Sequence, residues 1–338
     1  MFGGLFLFGT KLIENQSNHT IALKLKLFIM SLAKWIQPYQ DYLEFEWLAT
    51  NPNPKAIDYV DEHLGLIEWS NLWSNANAME LLKKNMVHVD WKQICLNPHP
   101  DALGLIRAHH EYYIEKWNKK HRRIPYDMML SWDNLSQNPG AVEFLKDYPV
   151  NILWRIQQPP YDHREDDYDY PGNPYFERLV PDYEINWSYL SQNPSDSAID
   201  MLLQHPKMID WSYLSSNTNM RAIELLSENV DKIDWYWASA NPSAMDLIEA
   251  NLDRVDWRQL CKNKNAVELL AEHTIEIDWP YMCANPNAIG LLEQYMSKMD
   301  WRWLCKNPNG GPLLEKNIKK EFEKIDWRWL SANPCIFE

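Results

Sequence analysis

Glycine is the first shortage. Only ten of the 338 residues are glycine, and none stands in the spacing of a Gly-rich phosphate loop or a nucleophile elbow. Cysteine is sparse too: five residues with no C-x-x-C pair and no metal-spaced His/Glu pair, so no zinc site is read. Positive charge runs short, with 33 Lys and Arg against 47 Asp and Glu and a net charge of −14. Nucleic acid is therefore not expected as a partner, because phosphate binding needs a basic face. Long apolar runs are missing as well. The most apolar stretch, residues 21–30, is broken by Lys24 and Lys26, too short and too charged for a membrane span or a signal sequence. A membrane partner is not expected. No enzyme chemistry, catalytic residue, metal or cofactor is assigned.

What the chain has in abundance is a repeated phrase. Its cleanest copy runs from Ile277-Asp278-Trp279 through Asn285-Pro286 to Ala288-Ile289 and Leu291-Leu292. The tryptophan recurs at Trp69, Trp91, Trp132, Trp154, Trp187, Trp211, Trp235, Trp257, Trp279, Trp301 and Trp327, with Phe45 in the same slot at the start. A fixed period of 22 to 24 residues is the mark of a solenoid whose units bury their apolar faces only against neighbours. The expected fold is all-α: about twelve short two-helix repeats over residues 44–338. Where the period lengthens, as in Asn193-Pro-Ser-Asp-Ser-Ala198, the extra residues mark a turn.

Each column of the repeat has a physical reading. Asp or Asn precedes the aromatic in eight of twelve units, where it would cap the first helix. Six residues after the aromatic stands Asn in eleven of twelve, and Pro follows it eight times. Asn-Pro is a good helix start. Asn51, Asn97, Asn138, Asn193, Asn241, Asn285 and Asn307 are accordingly expected as caps of the second helix, whose Ala-Ile-x-Leu-Leu residues share a face. The tryptophan column, at 69, 91, 132, 187, 211, 235, 257, 279, 301 and 327, is expected to form the core, since each indole buries roughly 150–250 Å². Two residues further on, seven units carry a second aromatic: Trp47, Tyr189, Tyr213, Trp237, Tyr281, Trp303 and Trp329. That column either fills the groove between helix layers or forms a stripe for a protein partner. Cys95, Cys261, Cys283 and Cys305 share a small-residue slot with Ser136, Ser191, Ser215, Ser239 and Ser331. Thiols in a reducing compartment are expected there.

Three segments depart from the pattern. Residues 1–30 lack the repeat, Met30 is expected as the natural start, and residues 31–43 as an N-terminal capping helix. An insertion at about residues 103–128 extends a second helix past His109, His110 and Glu111. Adjacent histidines on a helix diverge, so they are not read as metal ligands. A second insertion, at about residues 160–175, carries Asp162, Glu165, Asp166, Asp167, Tyr168, Asp169 and Tyr170. With Trp237, Trp303 and Trp329 these form the candidate partner surface, a solvated loop being the plainer reading of the acidic stretch.

The phrase Ile-Asp-Trp-x-x-Leu-Ser-x-Asn-Pro-x-Ala-Ile-x-Leu-Leu resembles the short tryptophan-containing repeat proteins encoded in many copies by large DNA viruses of algae and amoebae. The resemblance covers roughly residues 43–338 and implies a viral α-helical repeat protein without established catalytic residues. The two insertions and the Trp154 unit, which lacks its Asn-Pro, depart from it. The expected function is a protein–protein interaction scaffold with a viral or host partner, located inside the infected cell or in the virion. The alternative is a structural component of the particle. The last unit, beginning at Ile325-Asp326-Trp327, lacks a full second helix, so its apolar face is expected to be exposed or covered by something else.

Overall fold

The computed structural model describes residue 29 and residues 31–61, 69–120, 129–147 and 185–337. Among them every regular element is helical, and the one extended pairing is an isolated antiparallel bridge between Leu32 and Phe337. The chain is an α-solenoid of short repeats. It divides into two compact units, Met1–Asn71 with Cys283–Glu338, and Leu72–Met282.

A repeat starts with a helix of about one turn opening on the column tryptophan: Trp187–Gln192, Trp211–Ser215, Trp235–Ser239, Trp257–Leu260. The residue before it is the cap. Asp210 Oδ1 accepts from the backbone N–H groups of Ser212 and Tyr213, Asp256 Oδ1 from Gln259, and Asn186 Oδ1 from Tyr189. In the Trp132 repeat Ser131 takes this role. Helices this short are unstable alone, so stacking between repeats must hold them.

The second helix begins later than its Asn-Pro suggests. Asn opens a single tight turn, and the α-helix starts just after the column alanine, at Met79, Val142, Met245, Val267 and Ile289. In the longer repeats the extra residues bring a second cap. Ser195 Oγ accepts from Ala198 N–H ahead of Asp196–Gln204, and Asn219 Oδ1 from Arg221 N–H ahead of Met220–Ser227. A further 3-10 turn, unannounced by the residue pattern, links several second helices to the next tryptophan, as at Pro206–Met208, Val230–Lys232 and Met296–Lys298.

The asparagine column does more than cap. Asn Oδ1 accepts from the residue two positions on, as Asn97 does from His99 and Asn307 from Asn309, so the N–H that an intervening proline lacks is not missed. Asn51, Asn138, Asn193, Asn241 and Asn285 make the same contact. The amide Nδ2 then reaches the preceding repeat. Asn217 donates to Ser191 O at 2.8 Å and to Asn193 O at 2.9 Å; Asn241 and Asn263 repeat the pattern on their own predecessors. The whole column is buried, Asn97, Asn217, Asn263 and Asn307 completely. Each side chain thus satisfies backbone groups that stacking would otherwise strand.

The Ser/Cys slot is a second connector rather than a space filler. Ser215 Oγ donates to Trp211 O at 2.7 Å and accepts from Asp234 N–H, in the next repeat, at 3.0 Å. Ser191 and Ser239 repeat this relay. A thiol can replace the hydroxyl, with Cys261 Sγ accepting from Asp278 N–H at 3.3 Å. Trp73 fills the slot in the Trp69 repeat and is fully buried.

The core lies one column away from where the tryptophans place it. Trp91, Trp132 and Trp301 are buried at 8%, 5% and 6% exposure. Trp69, Trp187, Trp211, Trp235, Trp257, Trp279 and Trp327 are only half-buried. Opening its helix, the indole leans back past the helix start and meets side chains near the end of its own repeat. Trp187 meets His205 at 5.1 Å between ring centroids, Trp257 meets His273 at 5.0 Å, and Lys232 sits 4.3 Å over Trp211. The inward column is three residues later: Leu48, Leu72, Ile94, Leu135, Leu190, Leu214, Ala238, Leu260, Met282, Leu304 and Leu330, none above 1% exposed. The repeat alanines complete it, Ala78 through Ala288 at 0%.

In the unit formed by the two ends of the chain, the first repeat stacks on the last. Asn51 Nδ2 donates to Ser331 O and Asn333 O, and Glu44 N–H donates to Ser331 Oγ at 2.8 Å. Ala33 N–H donates to Ile336 O at 2.7 Å. Residues 31–43 are thus a strap containing the 3-10 turn Gln37–Tyr42 rather than one capping helix. It lays Tyr42 on Trp327, centroids 5.0 Å apart, and on Phe322, at 5.2 Å. The last repeat, expected to be exposed or covered by something else, is covered by residues 31–43 and the first repeat.

Candidate interaction surface

The second aromatic column lies on the tryptophan helices, two residues beyond each opening indole. Its side chains are half-buried at Tyr189, Tyr213, Tyr281, Trp303 and Trp329, and Trp237 is 44% exposed. Neighbouring repeats bring them together. In the unit Leu72–Met282, Tyr189 meets Tyr213 edge-on with centroids 5.8 Å apart. In the other unit, Trp303 and Trp329 are tilted against each other at 5.4 Å. The column is a surface row, not a filler between layers, because the completely buried neighbours are the small or aliphatic residues that follow it.

Cations flank this row in two repeats, at matching positions. Arg258 and Lys262 stand 4.9 Å and 4.5 Å from the Tyr281 ring. Arg302 and Lys306 stand 5.2 Å and 3.6 Å from Trp329, and Lys306 is also 4.7 Å from Trp303. Each arginine also meets the capping aspartate of the following repeat: Arg258 Nε to Asp278 at 3.1 Å, Arg302 Nε to Asp326 at 3.2 Å. Arg328 adds a second contact to Asp326 at 3.0 Å. Burial alone would push the Asp326 carboxyl up, but Arg328, the Trp329 N–H and Arg302 outweigh it and hold it below the usual carboxylate range. Partial burial, with Arg302 close by, lowers the Lys306 ammonium, although Asp326 opposes the shift. Glu44 is shifted upward, chiefly by burial.

The paired histidines separate as their helix geometry requires. The helix Pro100–Lys120 points His109 onto Trp91, stacked at 3.5 Å, and His110 toward Phe144 and Trp132. Burial, helped by His109, pushes the His110 pKa down to about 4. The five cysteines form no disulfide. Burial pushes the thiols of Cys95, Cys305 and Cys335 up to about 12 and those of Cys261 and Cys283 up to about 11. They are therefore protonated and poor nucleophiles. Among the described residues no three His, Cys, Asp or Glu converge as a metal site, and no helix is long and apolar enough to cross a membrane. A shallow groove of about 410 Å³ between Trp35, Pro308, Pro312 and Cys335 has Asn309 and Glu315 on its rim.

The acidic stretch with Asp162, Glu165, Asp166, Asp167, Tyr168, Asp169 and Tyr170 lies outside the described residues, as do the Trp154 repeat and residues 1–28. Sequence reasoning named Trp237, Trp303 and Trp329 but missed the arginine and lysine beside them. The signal was present: basic residues one and five positions after Trp257 and Trp301. No family model matches the chain, and no curated protein or solved structure is detectably similar to it.

Proposed function

We propose that the chain is a non-catalytic scaffold for protein–protein interaction, of the tryptophan-repeat kind encoded by large DNA viruses of algae and amoebae. The observation that carries this is the aromatic row on the tryptophan helices. Half-buried Tyr and Trp side chains on a rigid repeat give large contact areas at small entropic cost, the composition favoured where proteins dock. The partner is a viral or host protein, met inside the infected cell or in the particle.

The test is affinity capture from infected cells with quantitative mass spectrometry, comparing the intact chain with Trp237→Ser. A defined set of proteins depleted more than threefold by Trp237→Ser supports the scaffold. Capture that ignores the substitution, or a turnover activity in the purified chain, overturns it. Stoichiometric recovery with capsid proteins from purified particles would instead make the chain a structural component of the virion.

A further inference from the structure

We propose that the cation-flanked aromatics Trp303 and Trp329, with Arg302, Lys306 and Arg328, form a docking site for an acidic segment of a partner protein. This rests on the scaffold reading and specifies the chemistry of the partner. In a chain of net charge −14, three cations gather on one short face. Arg302 is 58% exposed, Arg328 49%, and Lys306 is exposed as well. The neighbouring acid, Asp326, pairs with the two guanidinium groups from a side chain only 7% exposed, so a single carboxylate is set against three cations. Glu44, from the first repeat, stands close enough to Arg328 to oppose the cluster. The site therefore suits a few carboxylates placed beside Arg302 and Lys306 rather than a long polyanion.

The geometry is that of a prepared anion site. Contact with Asp326 engages Arg302 through Nε, and a guanidinium carries further N–H donors suited to a bidentate carboxylate. Lys306 lies between two indoles, 3.6 Å and 4.7 Å from their centroids, which orients an otherwise flexible ammonium. The same Arg and Lys spacing around Tyr281 in the other unit, with Arg258 paired to Asp278, shows that this arrangement is a feature of the repeat and not one accidental contact.

Single-stranded nucleic acid is the competing ligand for cations beside aromatic rings. It fits less well. Base stacking needs open ring faces, and here Arg302 and Lys306 cover Trp329. A phosphate chain would also extend over a molecule whose overall charge repels it.

The experiment is fluorescence anisotropy with the full-length chain. The probe is a labelled twelve-residue Gly/Ser peptide carrying one central Glu-Asp-Tyr, beside the same peptide with Gln-Asn-Tyr and a twenty-nucleotide oligothymidine. The acidic peptide is expected to bind, to weaken at least tenfold with Arg302→Gln plus Lys306→Gln, and to weaken as sodium chloride rises. Lys306→Glu alone, which leaves the Asp326 pair in place, should weaken binding similarly while the circular dichroism spectrum stays that of the parent. Lys319→Gln plus Lys320→Gln, on the helix Gly311–Glu321, should leave binding unchanged. Equal binding of the neutral peptide, tighter binding of the oligonucleotide, or indifference to the Lys306 substitutions would overturn the proposal. If cellular capture survives Lys306→Glu but not Trp237→Ser, the acidic-segment assignment fails while the scaffold reading stands.

Discussion

Asn217 joins three pieces of backbone through one buried amide, donating to Ser191 O and Asn193 O and accepting from Asn219 N–H. Asn217→Ala removes all three contacts and leaves two buried carbonyls without that donor, for an expected loss of about 3 kcal/mol in denaturant unfolding. Ser215 is a two-sided relay between Trp211 and Asp234, so Ser215→Ala should cost about 1–2 kcal/mol. Ser215→Cys should cost clearly less, because thiols already fill the slot at Cys261 and Cys283; thermal melts of the two variants give the comparison. His110 supplies a pH dependence. Its folded pKa of about 4 lies below the ordinary value of 6.5, so the unfolded chain takes up the proton first. Stability from this residue is complete above pH 6.5 and falls as pH drops toward 4. His110→Leu should flatten that part of the unfolding profile. These roles were half-legible in the sequence. Asn before Pro announces a cap, whereas the reach of its Nδ2 into the preceding repeat depends on stacking distance, which no local pattern encodes.

Among the elements, the tryptophan helix and the strap carry the clearest lessons. Tryptophan's size suggested a core column, yet a residue that opens a helix leans over the end of its own repeat, and the aliphatic residue one turn in takes the interior. The signal for that was in the letters: Leu, Ile, Ala or Met at positions 48, 72, 94, 135, 190, 214, 238, 260, 282, 304 and 330. The strap was not legible, because pairing Leu32 with Phe337 or laying Tyr42 on Trp327 joins residues from opposite ends of the chain. Its removal makes a sharp prediction. Deleting residues 31–43 should raise amide exchange over residues 322–337 by on the order of tenfold or more, as the last repeat loses its cover. Exchange in the helix Trp211–Ser215, which belongs to the other unit, should not change.

For the molecule as a whole, the proposed function rests on what repetition presents at the surface. Buried cysteines are held as thiols, the paired histidines are spent on aromatic packing, and the buried asparagine column is committed to backbone. What the repeats leave at the surface of each unit are half-buried Tyr and Trp side chains, with cations beside Tyr281 in one unit and beside Trp329 in the other. The all-α repeat architecture was readable because a fixed period constrains the whole chain. The chemistry of the row was less so, because which face a residue two positions past a helix start presents is settled by its neighbours. The most direct test of the scaffold account is hydroxyl-radical footprinting of the full-length chain with and without a partner obtained by capture. The account predicts partner-dependent protection of Trp237, Tyr281, Trp303 and Trp329, with the exposed side chains of Val87 and Ile275 oxidised as before. Protection at Val87 and Ile275 with the aromatic row unchanged would contradict it.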